Sequence, residues 1–378
     1  MGLRGDNVLI TGVTGYLGNR FAKRLLKETD THLYLFGRSK KGVPFEQRRE
    51  LADLPHKERI TLVEGDLHDC APLESLAKMV DEIWHFAAIT SFSERLHAQI
   101  MDTNLHGTIR LIEVAKGFTN LKCLNYISSV YGCGLVGYPA VIAEEPFAQA
   151  KRRNTYEQAK CYTEHILAST ALPYRIFRPS IIVGDSETGL SDDKTVYGAA
   201  TVSYIAARFL REKSDKLGSN IILDRDVINK NINIVGNTDA RKNIIPINEV
   251  IDLMYGIRER SKNLNNIYHL VSNEGTSLET MNHAVNKILK FNGIKLVDHL
   301  GEDPTHLETE LNELMKDYVA YMKTDDPIFD DANTMAIMPE YKRVQMTPSL
   351  VEFLFRSFFT NYAAQLAKRY SLIEKMME

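Results

Sequence analysis

The stretch "LITGVTGYLGNR", residues 9–20, decides the fold. An apolar run ends at Thr11, and three glycines follow as Gly12-x-x-Gly15-x-x-Gly18. Immediately after it, "GNRFAKRLLKE" (residues 18–28) sets Phe21, Leu25 and Leu26 on one helical face. Glycines also punctuate ordinary turns, so the context carries the meaning: strand, glycine turn, helix. Gly12 permits a tight turn, Gly15 lets backbone approach a pyrophosphate, and Gly18 allows close helix–strand packing. The N–H groups and dipole of the helix N-terminus then favour the phosphates. These twelve residues therefore read as a dinucleotide site, with GxxGxxG spacing rather than GxGxxG.

Working outward, short apolar runs alternate with helical stretches. "NVLITG" (7–12), "HLYLFG" (32–37), "ITLVEG" (60–65), "EIWHFAA" (82–88), "LKCLNYISS" (121–129) and "YRIFRPSIIVG" (174–184) read as strands one to six. "NLHGTIRLIEVAKG" (104–117) is a helix between strands four and five. Near-continuous apolar strands in βα alternation predict a parallel sheet covered on both faces. Residues 186–235 look polar and less regular, with "GLSDDKTVYG" and "LGSNIILDRD" as loop-like stretches. "NIIPINEVIDLMYGI" (243–257) resumes the strand-plus-helix pattern, and "NIYHLV" (266–271) is one more strand. From Gly275 the chain is mostly helical. It ends in a helix that Thr347 and Pro348 start, apolar enough to cover a pocket, a dimer face or a membrane surface.

The expected architecture is α/β, a doubly wound parallel sheet (Rossmann) with a smaller, mainly helical C-terminal substrate lobe. Residues 1–184, with 236–272 returning, form the dinucleotide-binding domain; residues 185–235 and 273–378 form the substrate lobe. At 378 residues the chain has room for both. A formal net charge of −3 gives no electrostatic reason to expect nucleic acid. No apolar run approaches the roughly 18–20 residues that span a bilayer. Met1 passes almost directly into the first strand, so no signal peptide is expected. Cys70, Cys123, Cys133 and Cys161 lack zinc-type spacing and read as free thiols of a reducing cytoplasm. His85, His97 and His106 read as structural or surface groups, and no histidine pair has metal-ligand spacing.

Cofactor choice is read at the end of strand two, in "LFGRSKKG". Gly37 stands where an acid would bind a ribose 2′-hydroxyl, and Arg38 follows. A guanidinium fork suits a phosphate dianion, which favours NADP(H) over NAD(H). Lys40 and Lys41 also read as a plain solvated turn. Asp66 could accept from the adenine amino group or simply close strand three. In "NTYEQAKCYTEHIL", Tyr156 and Lys160 stand four apart on one helix face. A neighbouring ammonium is expected to lower the tyrosine pKa toward the working range. "YISSVYGCG" supplies Ser128 and Ser129 to orient a substrate oxygen.

With these residues in hand, the chain resembles an extended short-chain dehydrogenase/reductase. The motifs are TGVTGYLG (11–18), GDL (65–67), HFAA (85–88), NLHGT (104–108), ISS (127–129), YEQAK (156–160) and RPS (178–180). The resemblance implies that Tyr156 is the catalytic acid/base, that Lys160 holds the nicotinamide ribose and tunes it, and that Ser129 is the third catalytic group. It implies cofactor contacts from Gly12, Thr14, Gly15, Tyr16, Leu17, Gly18, Arg38, Asp66, Leu67, Ala87, Ala88, Asn104, Tyr156, Lys160, Pro179 and Ser180. Asn104 would support the active-site water network.

"RNTYEQAK", "RPSIIVGDSETG" and "NINIVGNTDARKNIIPINEVIDLM" look more like the fatty acyl-CoA reductase and thioester reductase branch than the sugar-nucleotide branch. The acidic, aromatic "YVAYMKTDDPIFDDANT" (318–334) is similar to the lobe that follows in such reductases. Two departures stand. Thioester reductases usually carry Thr where this chain has Ser129, and the segment from there to Tyr156 is shorter than in many of them. The branch implies an NADPH-dependent reductase of an acyl thioester to aldehyde and onward to alcohol. Its substrate would arrive on coenzyme A or on a separate carrier protein, because no adenylation or carrier segment precedes the glycine turn. A homodimer is one arrangement open to the apolar last helix. The alternatives are a nucleotide-sugar epimerase or dehydratase, a hydroxy-group dehydrogenase, or a non-catalytic nucleotide sensor on the same fold.

Overall fold

The computed structural model describes residues 6–191, 196–214, 222–223 and 227–377. Seven strands form one sheet: β1 (Asn7–Thr11), β2 (His32–Gly37), β3 (Ile60–Glu64), β4 (Glu82–His85), β5 (Cys123–Ile127), β6 (Tyr174–Pro179) and β7 (Asn266–Leu270). Their order is β7-β6-β5-β4-β1-β2-β3, and every neighbouring pair is parallel. The order reverses between β1 and β4, which is where a doubly wound sheet opens a crevice at its carboxyl ends.

Alternate residues of β1 face opposite layers. Val8 and Ile10 pack under α1 (Tyr16–Glu28), while Leu9 joins the layer of α2 (Gly107–Ala115) and α3 (Thr155–Ala168). The expected doubly wound sheet is what forms. Two further helices follow, α4 (Val196–Glu212) and α5 (Ile247–Arg260), the latter packed beside α1.

A second hydrophobic core gathers α4, α6 (Leu278–Leu289), α7 (His306–Met322), α8 (Pro348–Asn361) and α9 (Ala363–Met377). The seventeen-residue α4 corrects the reading of 186–235 as irregular. Tyr197, Thr201, Ile205 and Phe209, spaced by four, are buried along it and carried that signal. The expected loop at 217–226 lies outside the described residues except Ile222–Leu223, which pair with Val227–Ile228.

Two further expectations change in detail. Strand six divides after Pro179: Ile181–Val183 leaves the main sheet and pairs in parallel with Ile244–Pro246. Pro179 has no N–H to extend the ladder, and Ser180 instead donates its N–H to Leu270 O. The last helix breaks at Tyr362 (φ −109°, ψ 14°), whose hydroxyl donates to Ser191 O at 2.7 Å. Val351, Leu354, Phe355 and Phe358 of α8 are buried in the second core, so this helix packs on its own lobe. Among the described residues no helix is long and apolar enough to cross a membrane.

Candidate active site

The crevice is built first by the glycine turn. Gly12 is left-handed (φ +75°), and a Cβ there would lie 2.5 Å from Ala87 N, so this turn and the chain leaving β4 pass each other backbone to backbone. A Cβ on Gly18 would lie 2.6 Å from Gly12 O. Gly15 is the N-cap of α1, with no side-chain cap and no acidic residue in the first turn. Those N–H groups are left for an anion, and the cradle fits a dinucleotide pyrophosphate.

At the end of β2, Arg38 is ion-paired with Asp66, and Ser39 donates to Glu64. Burial pushes Asp66 up, but the His68 N–H and the Arg38 guanidinium more than offset it, leaving its pKa lowered. The residues read separately for the 2′-phosphate and the adenine thus meet in one pair. Arg38 keeps 62% of its side-chain surface exposed.

The third component is α3. Asn154 caps it, its Oδ1 accepting from Glu157 N at 3.0 Å, and Glu157 accepts from Arg153 N at 2.8 Å. This fixes the first turn and hence Tyr156. Phe92 packs 5.9 Å from the Tyr156 ring, centroid to centroid. Ser129, at the end of β5, hydrogen-bonds Tyr156, and its Oγ accepts from Tyr131 N at 3.3 Å. Lys160 donates to Ile127 O at 2.5 Å and lies 4.8 Å from the Tyr126 ring centroid.

The expected lowering of the tyrosine pKa does not occur in this site. Burial pushes Tyr156 up to about 12, against the hydrogen bond from Ser129. Burial also brings Lys160 down to about 7, with the Glu164 carboxylate opposing it. Desolvation is the largest cause at both groups, because the charged forms lose water on burial, and the Glu157 carboxylate adds to the rise at Tyr156.

A cavity of about 340 Å³ joins these parts. Gly12, Gly15, Tyr16, Leu17, Gly18, Ala88, Ser129, Tyr156, Lys160, Pro179 and Ser180 all line it. Ser128 and Ser180, also on its wall, have buried hydroxyls without a protein partner. Thr14, Arg38, Asp66, Leu67, Ala87 and Asn104 are not on the wall. Asn104 is buried and clamps Ile89, accepting from its N at 2.7 Å and donating to its O at 2.9 Å. Its visible task is to hold the loop after β4. Arg178 of the RPS motif is also fully buried, paired with Glu164 rather than directed to the crevice.

The chain matches the model of the male sterility protein family, an NAD-binding domain, over residues 10–254. It belongs to that family. Its fold is that of the extended short-chain dehydrogenase/reductases and thioester reductases. Among curated relatives, this male sterility protein homologue is 27% identical to the Drosophila melanogaster fatty acyl-CoA reductase wat over 221 residues, 47% of this chain and 43% of the fly protein. It is 30% identical to a linear gramicidin synthase of Brevibacillus parabrevis over 201 residues, 48% of this chain and 4% of the synthase. The chain thus aligns with less than half the length of these relatives.

Among solved structures, the terminal R domain of the myxalamid PKS-NRPS pathway superposes with a TM-score of 0.74 at 20% identity, covering 96% of this chain and 92% of that domain. The UDP-glucuronic acid 4-epimerase of Bacillus cereus, in complex with NAD, superposes at 0.66 and 16% identity, covering 95% and 99%. Both likenesses are of fold.

In this family member, the segment 318–334 proves to be part of the site's frame. Tyr321 donates to Glu157 at 2.5 Å, accepts from Asn154 at 2.7 Å, and stacks on Phe92 at 4.7 Å. Asp326 accepts from Tyr131 OH at 2.6 Å and from Lys242 Nζ at 2.7 Å. Glu144, in the loop before α3, accepts from His269 N at 2.6 Å and Thr334 Oγ1 at 2.7 Å. Sequence reading marked the segment as acidic and aromatic but had no means of pairing it. Next, His85 sits between Thr11 (2.6 Å) and Thr108 (2.9 Å), and burial brings its pKa down to about 3, a structural histidine. The four cysteines are buried and free.

Proposed function

We propose that this protein is an NADPH-dependent reductase of acyl thioesters, forming an aldehyde and, in a second round, an alcohol. One observation carries the reading. The cavity runs without interruption from the glycine turn, past Ser129, Tyr156 and Lys160, to apolar walls formed by α4, α6 and α7, including Val202, Met281, Val285 and Met315. An acyl chain suits such walls, and the reacting carbonyl suits the hydroxyl end. The fatty acyl-CoA reductase relatives support this substrate class. A nucleotide sugar would need hydrogen-bonding groups where those methionines and valines stand.

The glycine turn would hold NADPH, Arg38 would meet its 2′-phosphate, and the cofactor when bound would supply hydride to the thioester carbonyl carbon. The chain's own residues manage the oxygen and its proton. Tyr156, with a pKa near 12, is a protonated donor at neutrality, so it and Ser129 both donate to the thioester oxygen as negative charge builds there. Tyr156 then gives its proton to that oxygen. The resulting hemithioacetal returns its hydroxyl proton to Tyr156 as the carbonyl reforms and the C–S bond breaks; the sulfur leaves as thiolate and takes a proton from water. Lys160, held by Ile127 O, lies beside the tyrosine to favour the phenolate as it forms.

The test mixes purified protein with NADPH and short, medium and long acyl-CoAs, following NADPH oxidation and free thiol together. Coupled loss of NADPH and appearance of thiol are expected. In Tyr156→Phe both should fall by about 10²–10⁴-fold while NADPH still binds. NADPH consumption without thiol release would point instead to a hydroxy-group dehydrogenase.

A further inference from the structure

Lys242 is a buried cation that the reaction above does not use. It lies just before Ile244–Pro246, is 4% exposed, and is part of the cavity wall. Its Nζ donates to Asp326 Oδ1 at 2.7 Å. Among the described residues no other acceptor is within hydrogen-bond distance of that nitrogen, so two of its three N–H groups have no protein partner. A buried ammonium is costly unless its donors are satisfied.

The neighbours define what could satisfy them. Asp326 already balances the charge, and its other oxygen accepts from Tyr131 OH (2.6 Å) and Asn243 N (2.8 Å). A second anion would leave uncompensated negative charge among apolar walls, whereas a neutral oxygen would not. Tyr131 links the cluster to the reacting end, because its backbone N–H donates to Ser129 Oγ at 3.3 Å. Lys242 therefore stands one tyrosine and one carboxylate away from the hydroxyl assigned to the thioester oxygen.

We propose that Lys242 is a substrate-binding residue whose ammonium takes a neutral oxygen, a hydroxyl or carbonyl, carried by the acyl chain beyond the thioester. The preferred substrate is then an oxygenated acyl thioester rather than a plain fatty one. This rests on the acyl-thioester reading. The structural alternative is an ion pair that only pins Asp326 and the strand that follows it, Ile328–Phe329, against Val141–Ile142.

The experiment compares decanoyl-CoA with 3-hydroxy-, 3-oxo- and 5-hydroxydecanoyl-CoA, measuring kcat/KM by NADPH oxidation and binding by calorimetry. Since Lys242→Met alone would strand a buried carboxylate, Lys242→Met/Asp326→Asn is made beside it. At least one oxygenated thioester should be favoured about tenfold by the natural protein, the effect of one charged hydrogen bond. That ratio should fall to about one in both variants. A purely structural pair would depress all thioesters alike and leave the ratio intact, which overturns the proposal, as does a natural protein without preference. Binding preference that is lost in the variants, with no turnover of any thioester, would uphold Lys242 and sink the reductase reading instead.

Discussion

Alanine at three glycines separates backbone strain, steric overlap and ligand access. At Gly12, alanine must adopt φ +75°, at a cost of about 1–2 kcal/mol. Its Cβ would also lie 2.5 Å from Ala87 N and 2.7 Å from both Ala87 Cα and Phe86 C. All three are backbone atoms of the chain leaving β4, so relief requires that segment to move, adding about 1–3 kcal/mol. Gly12→Ala should therefore lose about 2–5 kcal/mol in total. Gly42 has the same hand (φ +77°) with nothing within 4 Å. Gly42→Ala isolates the strain, about 1–2 kcal/mol. Gly15 has an ordinary backbone (φ −84°, ψ 159°), and its Cβ would meet only Gly12 O, at 3.2 Å. Gly15→Ala should change stability by less than about 1 kcal/mol, yet it sets a methyl at the helix N-cap where the pyrophosphate approaches. Urea unfolding ranks the stabilities, and titration of NADPH fluorescence measures the affinity. Gly42→Ala proving as destabilising as Gly12→Ala would refute the overlap argument. Gly15→Ala binding NADPH as the natural protein does would refute the pyrophosphate assignment.

Arg38→Ser should weaken NADPH binding about tenfold more than NADH binding; an unchanged ratio in parallel titrations would remove Arg38 from the 2′-phosphate. Lys160 has a folded pKa near 7, below the usual 10.5, so between those values the unfolded chain binds the extra proton and stability rises with pH. Thermal unfolding across pH 7–10 should shift in favour of the natural protein over Lys160→Met, and a gap that stays constant would contradict the buried, near-neutral lysine. Glu144→Gln replaces one carboxylate oxygen, an acceptor for His269 N, Asn333 N and Thr334 Oγ1, with an amide donor. A loss of about 1–3 kcal/mol is expected, with faster hydrogen exchange at 333–338. Exchange identical to the natural protein would mean that Glu144 does not hold that segment.

Much of the frame was legible because its signals are local. The glycine turn, the strands and the Tyr156/Lys160 spacing all sit within short windows whose periodicity fixes a face or a backbone conformation. Helix α4 was legible too, in the four-residue spacing from Tyr197 to Phe209, but polar flanks hid it. The split of strand six turned on Pro179, and the break at Tyr362 on a hydroxyl reaching Ser191, a partner no helical pattern names.

The sequence by itself determined the doubly wound sheet, the glycine turn between β1 and α1, and the four-residue spacing that sets Tyr156 and Lys160 on one helix. Tertiary structure alone decided their state and company. It joined Tyr131 to Asp326 across 195 positions and Lys242 to Asp326 across 84, and it set Asn104 to holding a loop. It also reversed the expected direction of the Tyr156 shift. The reason is physical. Periodicity and turn preference belong to neighbours along the chain, whereas burial, and with it the cost of a charge and the value of its partner, exists only once distant segments have excluded water together.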